Sequence, residues 1–241
     1  RQIPLHVWNH VAATWNGTNA SLYINGTLDA SLPFAGMPRI SSDPLTFGYG
    51  GHHSPFPGSL DDVRLYNRSL SPSEVLAVMS ETAPPSPPGG LVGAWHLDEG
   101  SGSQALDSSG NRLHGSLVNA PSWTSGIATN ALLFSGASDQ VVIPDHPYLA
   151  LTNSFSFAFW VRKDAEPTNW VRYLGKGAAS VQSFGLWDRF GPSGKVMLQF
   201  IETSGNFVFL NSTRELATNQ WYHLAATWNG TNASLYINGT L

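Results

Sequence analysis

The sequence has no cysteine among its 241 residues, which excludes disulfide staples and thiolate metal sites without fixing a compartment. Charge is scarce as well. Lys, Arg, Asp and Glu together make up 12% of the chain, roughly half of the ~25% usual in soluble proteins. The net charge of −4 comes with no basic cluster, so phosphate backbones have nothing to hold and nucleic acid is excluded as a partner class. Apolar runs stop far short of the ~20 residues that a bilayer span requires. Helical periodicity is almost missing, and no secretory leader is visible at the start, which a chain opening inside a domain would not show. What is present is 41% apolar and 12% aromatic residues, enough for a packed core, with a neutral surface rich in Ser, Thr, Asn and Gly.

The chain also repeats itself. Trp8 to Leu28 reads WNHVAATWNGTNASLYINGTL and Trp221 to Leu241 reads WYHLAATWNGTNASLYINGTL, 213 residues further on. Within them Ala12 to Leu28 and Ala225 to Leu241 are identical over 17 residues. A repeat changes where domains are expected to begin and end. One stretch reads as a linker: ETAPPSPPGG at 81–90, whose four prolines favour an extended, semi-rigid path. The expected organisation is therefore the C-terminal part of one domain at 1–80, a Pro-rich linker at 81–90, and the N-terminal part of the next domain at 91–241. A window cut from a tandem array has this form.

Period-two alternation dominates. HVAATW, the turn NGTN and ASLYI form a hairpin from His10, and DDVRLY follows at 61–66. Further strands are expected at 91–97, 130–136, 139–144, 154–163, 171–177, 183–188, 196–202 and 206–211, with Gly, Pro, Asn or Asp between most of them. One helix is expected, from Ser71 to Val78. Ser71 is placed to cap it, Pro72 sits in the first turn, and Glu74 holds the capping-box position. Many short strands indicate an all-β, two-sheet antiparallel jelly roll.

Six blocks then stand in a recognisable order: GAWHLDEGSG (93–102), DSSGN (107–111), ALLFSGASDQVVIP (131–144), SFSFAFWVR (154–162), the repeated WYHLAATWNGTNASLYINGTL, and FPGSLDDVRLYNRSLSPSEV (56–75). In that order they resemble the laminin-G-like, concanavalin A-like jelly rolls, over nearly a whole repeat read from 91 to 241 and on through 29 to 80. The resemblance implies two curved sheets packed face to face, with the Asp61 to Tyr66 strand beside the Leu91 to Leu97 region. It also raises a topological problem. If 1–80 closes on 91–241, two copies of the hairpin compete for one place, and one must be left out or pair with another molecule.

Relatives on this jelly roll include glycoside hydrolases, which hold two carboxylates about 5–5.5 Å apart for nucleophile and acid. Their Glu-x-Asp-x-x-Glu pattern is absent here. Asp61 and Asp62 are neighbours, so they point to opposite sides of a strand. No Gly-x-Ser-x-Gly elbow occurs, and a non-catalytic role is expected. The resemblance further implies a structural calcium ion held by hard oxygen ligands. Matched by position, these are Asp61, with Asp98 or Asp139 as further carboxylates and the Gly136 carbonyl. The alternative is that these aspartates cap turns and bond backbone N–H groups without a metal. Lectin-like relatives stack exposed aromatics on sugars. The candidates are Trp170, Tyr173, Trp187 and Arg189, together with the loop around Tyr49, His52, His53 and Phe56, whereas Trp15, Trp95, Trp160 and Trp228 fall in strand blocks and are expected in the core.

Acceptor sequons Asn-x-Ser/Thr occur at Asn16, Asn19, Asn25, Asn67, Asn211, Asn229, Asn232 and Asn238. Asn-Gly-Thr is also ordinary turn chemistry, but glycans would supply the hydration that the missing charges do not. The expectation is a cell-surface or extracellular protein built of laminin-G-like repeats, with neighbouring copies of itself as partners in filament assembly or adhesion. The alternative is a calcium-dependent carbohydrate-binding module with glycan partners.

Overall fold

The computed structural model describes residues 10–15, 18–24, 26–33, 37–49, 54–80, 90–151, 154–165, 169–177, 183–188, 195–216, 220–230 and 232–237, with 220–237 described as backbone. Its strands in chain order are His10–Trp15 (β1), Thr18–Ile24 (β2), Thr27–Pro33 (β3), Leu45–Phe47 (β4) and Pro57–Tyr66 (β5). The helix Pro72–Met79 (α1) follows. After it come Leu91–Trp95 (β6), Gln104–Ala105 (β7), Gly115–Val118 (β8), Ser122–Ser125 (β9), Asn130–Ser135 (β10) and Gln140–Ile143 (β11). The rest are Phe155–Lys163 (β12), Val171–Lys176 (β13), Phe184–Asp188 (β14), Lys195–Ile201 (β15), Phe207–Glu215 (β16), Gln220–Gly230 (β17) and Asn232–Ile237 (β18).

These strands make two antiparallel sheets in a sandwich, the expected jelly roll. One sheet has eight strands in the order β16-β15-β14-β13-β4-β11-β8-β7. The other is built from β6-β5-β10-β9 and from β12 with the hairpin strands and β3. Its two parts meet where β5 runs beside β12: Asp164 N donates to Pro57 O at 3.0 Å, and a Cβ on Gly58 would fall 2.0 Å from Arg162 O. Only a residue without a side chain fits there. Strands from both sides of the Pro-rich stretch thus share each sheet.

Alternation explains the core. A continuous row runs across the eight-stranded sheet as Leu117, Val141, Phe47, Leu174, Leu186, Leu198 and Leu210, each in register with the next. The facing strand β12 offers Phe155, Phe157 and Phe159, all fully buried. Phe155 and Phe157 stack on Phe184 with centroids 5.2 and 6.0 Å apart. Each such ring or aliphatic group contributes about 1.5–3 kcal/mol on full burial.

The helix begins where the capping box sets it. Ser71 accepts from Glu74 N at 3.4 Å, and Glu74 accepts from Ser71 N at 2.8 Å. Arg68 adds a two-pronged ion pair to Glu74, at 3.1 and 2.7 Å. Val75 and Val78 bury the inner face of the helix.

Candidate functional site

The seam between β5 and β6 gathers most of the chemistry. Val63, Arg64, Leu65 and Tyr66 are in register with Trp95, Ala94, Gly93 and Leu91, as the resemblance implied. The first half of β5 pairs with β10 instead, Leu60 opposite Leu132. Between the two halves Asp62 takes a left-handed backbone, φ 48°, and the ladder changes partner there.

Asp61 and Asp62 are both buried and serve different neighbours. Asp62 receives Arg64 Nη2 at 2.8 Å and contacts His96 Nδ1 at 2.8 Å, and this carboxylate raises the His96 pKa above its usual value. Asp61 accepts from Ile127 N at 2.8 Å. A Cβ on Gly126 would fall 2.4 Å from its carboxylate, so the turn can close over Asp61 only with glycine. Burial pushes the Asp61 pKa up to about 8; the Ile127 N–H pulls against this, and the charges of Asp62 and Asp98 add to it. Asp98 accepts from the Thr129 hydroxyl and, at 3.2 Å, from Asn130 N. Asp61 and Asp98 therefore clasp one turn, 126–130, from two sides.

The other two members of the expected calcium set are not brought there. Continuing the β10 register by one residue sets Asp61 level with Ala131, so Gly136, just past the end of β10, is five residues further on, about 17 Å at ~3.4 Å per residue. Asp139 is at that far end, accepting from Ser135 N at 2.6 Å to close the β10–β11 turn. The four-residue set does not fit one ion, because β10 holds its members apart. Among the described residues no three His, Asp or Glu side chains meet as a metal-holding group.

The remaining buried carboxylates also hold the fold. Asp107, from the DSSGN block, accepts from Ala94 N, Ser109 N and Leu113 N, each at 2.9 Å, and from the Ser109 hydroxyl at 2.8 Å. Asn111 donates to Val92 O at 2.8 Å. The loop laces β6 in place. Asp188 accepts from Tyr173 OH at 2.9 Å and pairs with Lys163 at 3.2 Å, joining the two sheets through a fully buried ion pair.

That role removes Tyr173 from the sugar-binding candidates: it is fully buried, its ring 4.9 Å from Phe56, which is itself core. Trp187 is corrected likewise, being 1% exposed with the Arg172 guanidinium 4.4 Å from its ring centroid. Six-residue β13 is buried at every position, so neither face of it offers a stacking ring. Trp170 is half-buried just before that strand, and its carbonyl accepts from Ser54 N at 2.8 Å. Arg189, His52 and His53 lie outside the described residues. Trp95 and Trp160 are in the core as expected, while the side chains of Trp15 and Trp228 lie outside the description.

An exposed pair of phenylalanines lies elsewhere. Phe207 and Phe209 on the edge strand β16 are 51% and 48% exposed, with rings 5.9 Å apart and within 6° of parallel. Gln199 lies opposite Phe209, and Asn211 is exposed two residues on. Of the other sequons, Asn67 is exposed, Asn19 is half-buried in β2, and Asn229 and Asn232 are described as backbone only. Asn16, Asn25 and Asn238 lie outside the described residues.

This sandwich, with β5 paired beside β6 at its seam, has the form of a laminin-G-like class of domain. The chain belongs to the concanavalin A-like lectin/glucanases superfamily, whose laminin-G family profile matches residues 1–76 and 135–241. Each matched stretch contains one copy of the repeated hairpin. No curated protein and no solved structure matches the chain. No described helix is long and apolar enough to cross a membrane.

Proposed function

We propose that the chain is a non-catalytic, extracellular laminin-G-like repeat protein that works in surface assembly or adhesion, with neighbouring copies of itself as partners. The observation that carries this is the repeat, because two hairpins identical over 17 residues, each inside a family match, are what a tandem array produces. The boundaries at 80 and 91 and a spacer at 81–90 belong to this reading. The buried carboxylates support the non-catalytic part: Asp61, Asp62, Asp107, Asp139 and Asp188 are each engaged in holding a turn, a strand or the two sheets. The low charge and the sequons support an extracellular location. Electron microscopy of the native protein tests it. Beads at a regular axial spacing are expected, and dispersed particles at all concentrations would sink assembly.

A second reading, calcium-dependent glycan binding, is favoured by the exposed Phe207 and Phe209. Parallel rings beside Gln199 and Asn211 combine an apolar face for a pyranose ring with amides for its hydroxyls. Calcium would here engage Asp61 and Asp98, which share one turn. Glycan-array binding that is lost on Phe209→Ala, and reduced by a chelator, would move this reading to first place.

A further inference from the structure

The two hairpins meet one place in the sheet. His10 of β1 and His223 of β17 are both in register with Trp160 of β12. Ala225 is matched with Ala158 of β12, Tyr236 of β18 and Ala12 of β1. Thr227 is matched in the same way with Ser156, Ser234 and Thr14. A strand residue has two flanks, one for each neighbouring strand. Three partners are one too many.

The register identifies the surplus. β1 and β17 are matched in parallel, each residue with its own counterpart: His10 with His223, Ala12 with Ala225, Trp15 with Trp228. β2 and β18 repeat this, Asn19 with Asn232 and Ala20 with Ala233. The ladders with β12 and β3 are antiparallel. The far flank agrees, since Ser31 of β3 is in register with both Ser21 and Ser234, again counterparts. One slot, bounded by β12 and β3, therefore accepts either hairpin in the same register.

We infer that the hairpins β1–β2 and β17–β18 are alternative occupants of this single slot, and that the displaced one is a donor for the same slot in a second copy of the domain. The partner's identity rests on the assembly reading; the sharing of the slot does not. A displaced hairpin presents unpaired strand edges, which seek another strand, and it carries in full the sequence that the slot accepts. Because the sandwich has one slot and the chain two hairpins, one hairpin per chain remains available for a copy whose own hairpin is engaged elsewhere. Such head-to-tail donation does not close on itself and propagates.

The chain has no cysteine of its own, so introduced thiols can report occupancy. The triple variant Ala12→Cys, Ala158→Cys, Ala225→Cys is oxidised and its disulfide mapped by mass spectrometry. The expected result is a sulfur at position 158 bonded to position 12 in some molecules and to position 225 in others, with one thiol left in each. A single pairing throughout, or a bond between positions 12 and 225 of coexisting strands, would overturn the shared slot. The double variants Ala12→Cys/Ala158→Cys and Ala158→Cys/Ala225→Cys repeat the test if the triple variant misfolds; both are expected to cross-link, and failure of either one alone overturns it. Donation is read by refolding Ala158→Cys and Ala225→Cys chains together. An intermolecular disulfide is expected, and its absence, while the double variant cross-links within its chain, overturns donation. Filaments without this exchange would leave assembly standing and remove the hairpin as its means.

Discussion

The seam between β5 and β6 and the slot between β12 and β3 lie in the same layer and are specified in opposite ways. At the seam each strand is held by polar side chains that have one possible partner: Asp107 laces β6, and Asp61 and Asp98 clasp the 126–130 turn. At the slot both hairpins meet β12 and β3 in the same register and with nearly the same side chains, so nothing there selects one over the other. Unique polar contacts make a position specific, whereas a duplicated sequence on a plain surface makes it degenerate.

The seam should be the more sensitive region. Asp61 provides the largest expected effect, and it is a pH effect. Its folded pKa of about 8 lies above the unfolded value of ~3.9, so the folded state holds its proton over that interval. Its contribution is fully present below about pH 4 and is lost as pH rises to about 8, by as much as roughly 5 kcal/mol. Urea unfolding between pH 4 and 8 measures this slope, which Asp61→Asn should flatten. If calcium engages Asp61 and Asp98, it restores stability at pH 8 more than at pH 5; equal effects at both would remove the ion from this place.

Asp107→Ala comes next. It strands three backbone N–H groups that Asp107 now satisfies, and a loss of about 3–4 kcal/mol is expected at 1–3 kcal/mol for each buried donor left without a partner, with some relief from water. Thermal melts check it, and a change below about 1 kcal/mol would mean that the DSSGN loop does not hold β6. Ser71→Ala should cost about 1 kcal/mol through the lost helix cap, measurable as a lowered denaturation midpoint at an unchanged slope.

The smallest effect is the most telling. Ala13 is fully buried, and a charge at such a site ordinarily costs several kcal/mol. With a second hairpin ready for the slot, Ala13→Asp should change stability by no more than about 0.5 kcal/mol. Ala158→Asp on β12 has no substitute and should cost the several kcal/mol that Ala13→Asp is spared. A severe loss on Ala13→Asp would contradict the degeneracy of the slot.

Long alternating strands were legible from sequence, and β12 lies within a residue of its expected bounds because nine alternating residues determine both period and inner face. The helix start was equally legible, since a capping box is a local signal. β4, with three residues, and β7, with two, are too short to show a period, so they were missed. The site was less visible for a related reason. VRYLGK and FGLWD are each covered on both faces, which buries Tyr173 of the first and Trp187 of the second although both were expected at the surface. In the FVFL of NFVFLN aromatic and aliphatic residues alternate. Composition cannot say which face is open, and the edge position of β16 decides it in favour of Phe207 and Phe209. Of the residues matched by position to a calcium set, Asp61 and Asp98 meet at one turn, while Asp139 lies at the other end of β10, a separation that the order of the blocks does not reveal.

The register at the seam carries one more consequence, which concerns tension. Tyr66 faces Leu91, and just beyond them Asn67 N donates to Gly90 O at 2.8 Å. The segments that lead away from β5 and into β6 therefore leave the sheet at the same end. A pull between them opens the ladder from that end, one hydrogen bond at a time, like a zipper and unlike a lap joint loaded in shear. Under load this seam yields early and by small steps, and the first lock the opening front must break is the group of bonds by which Asp107 and Asn111 grip β6.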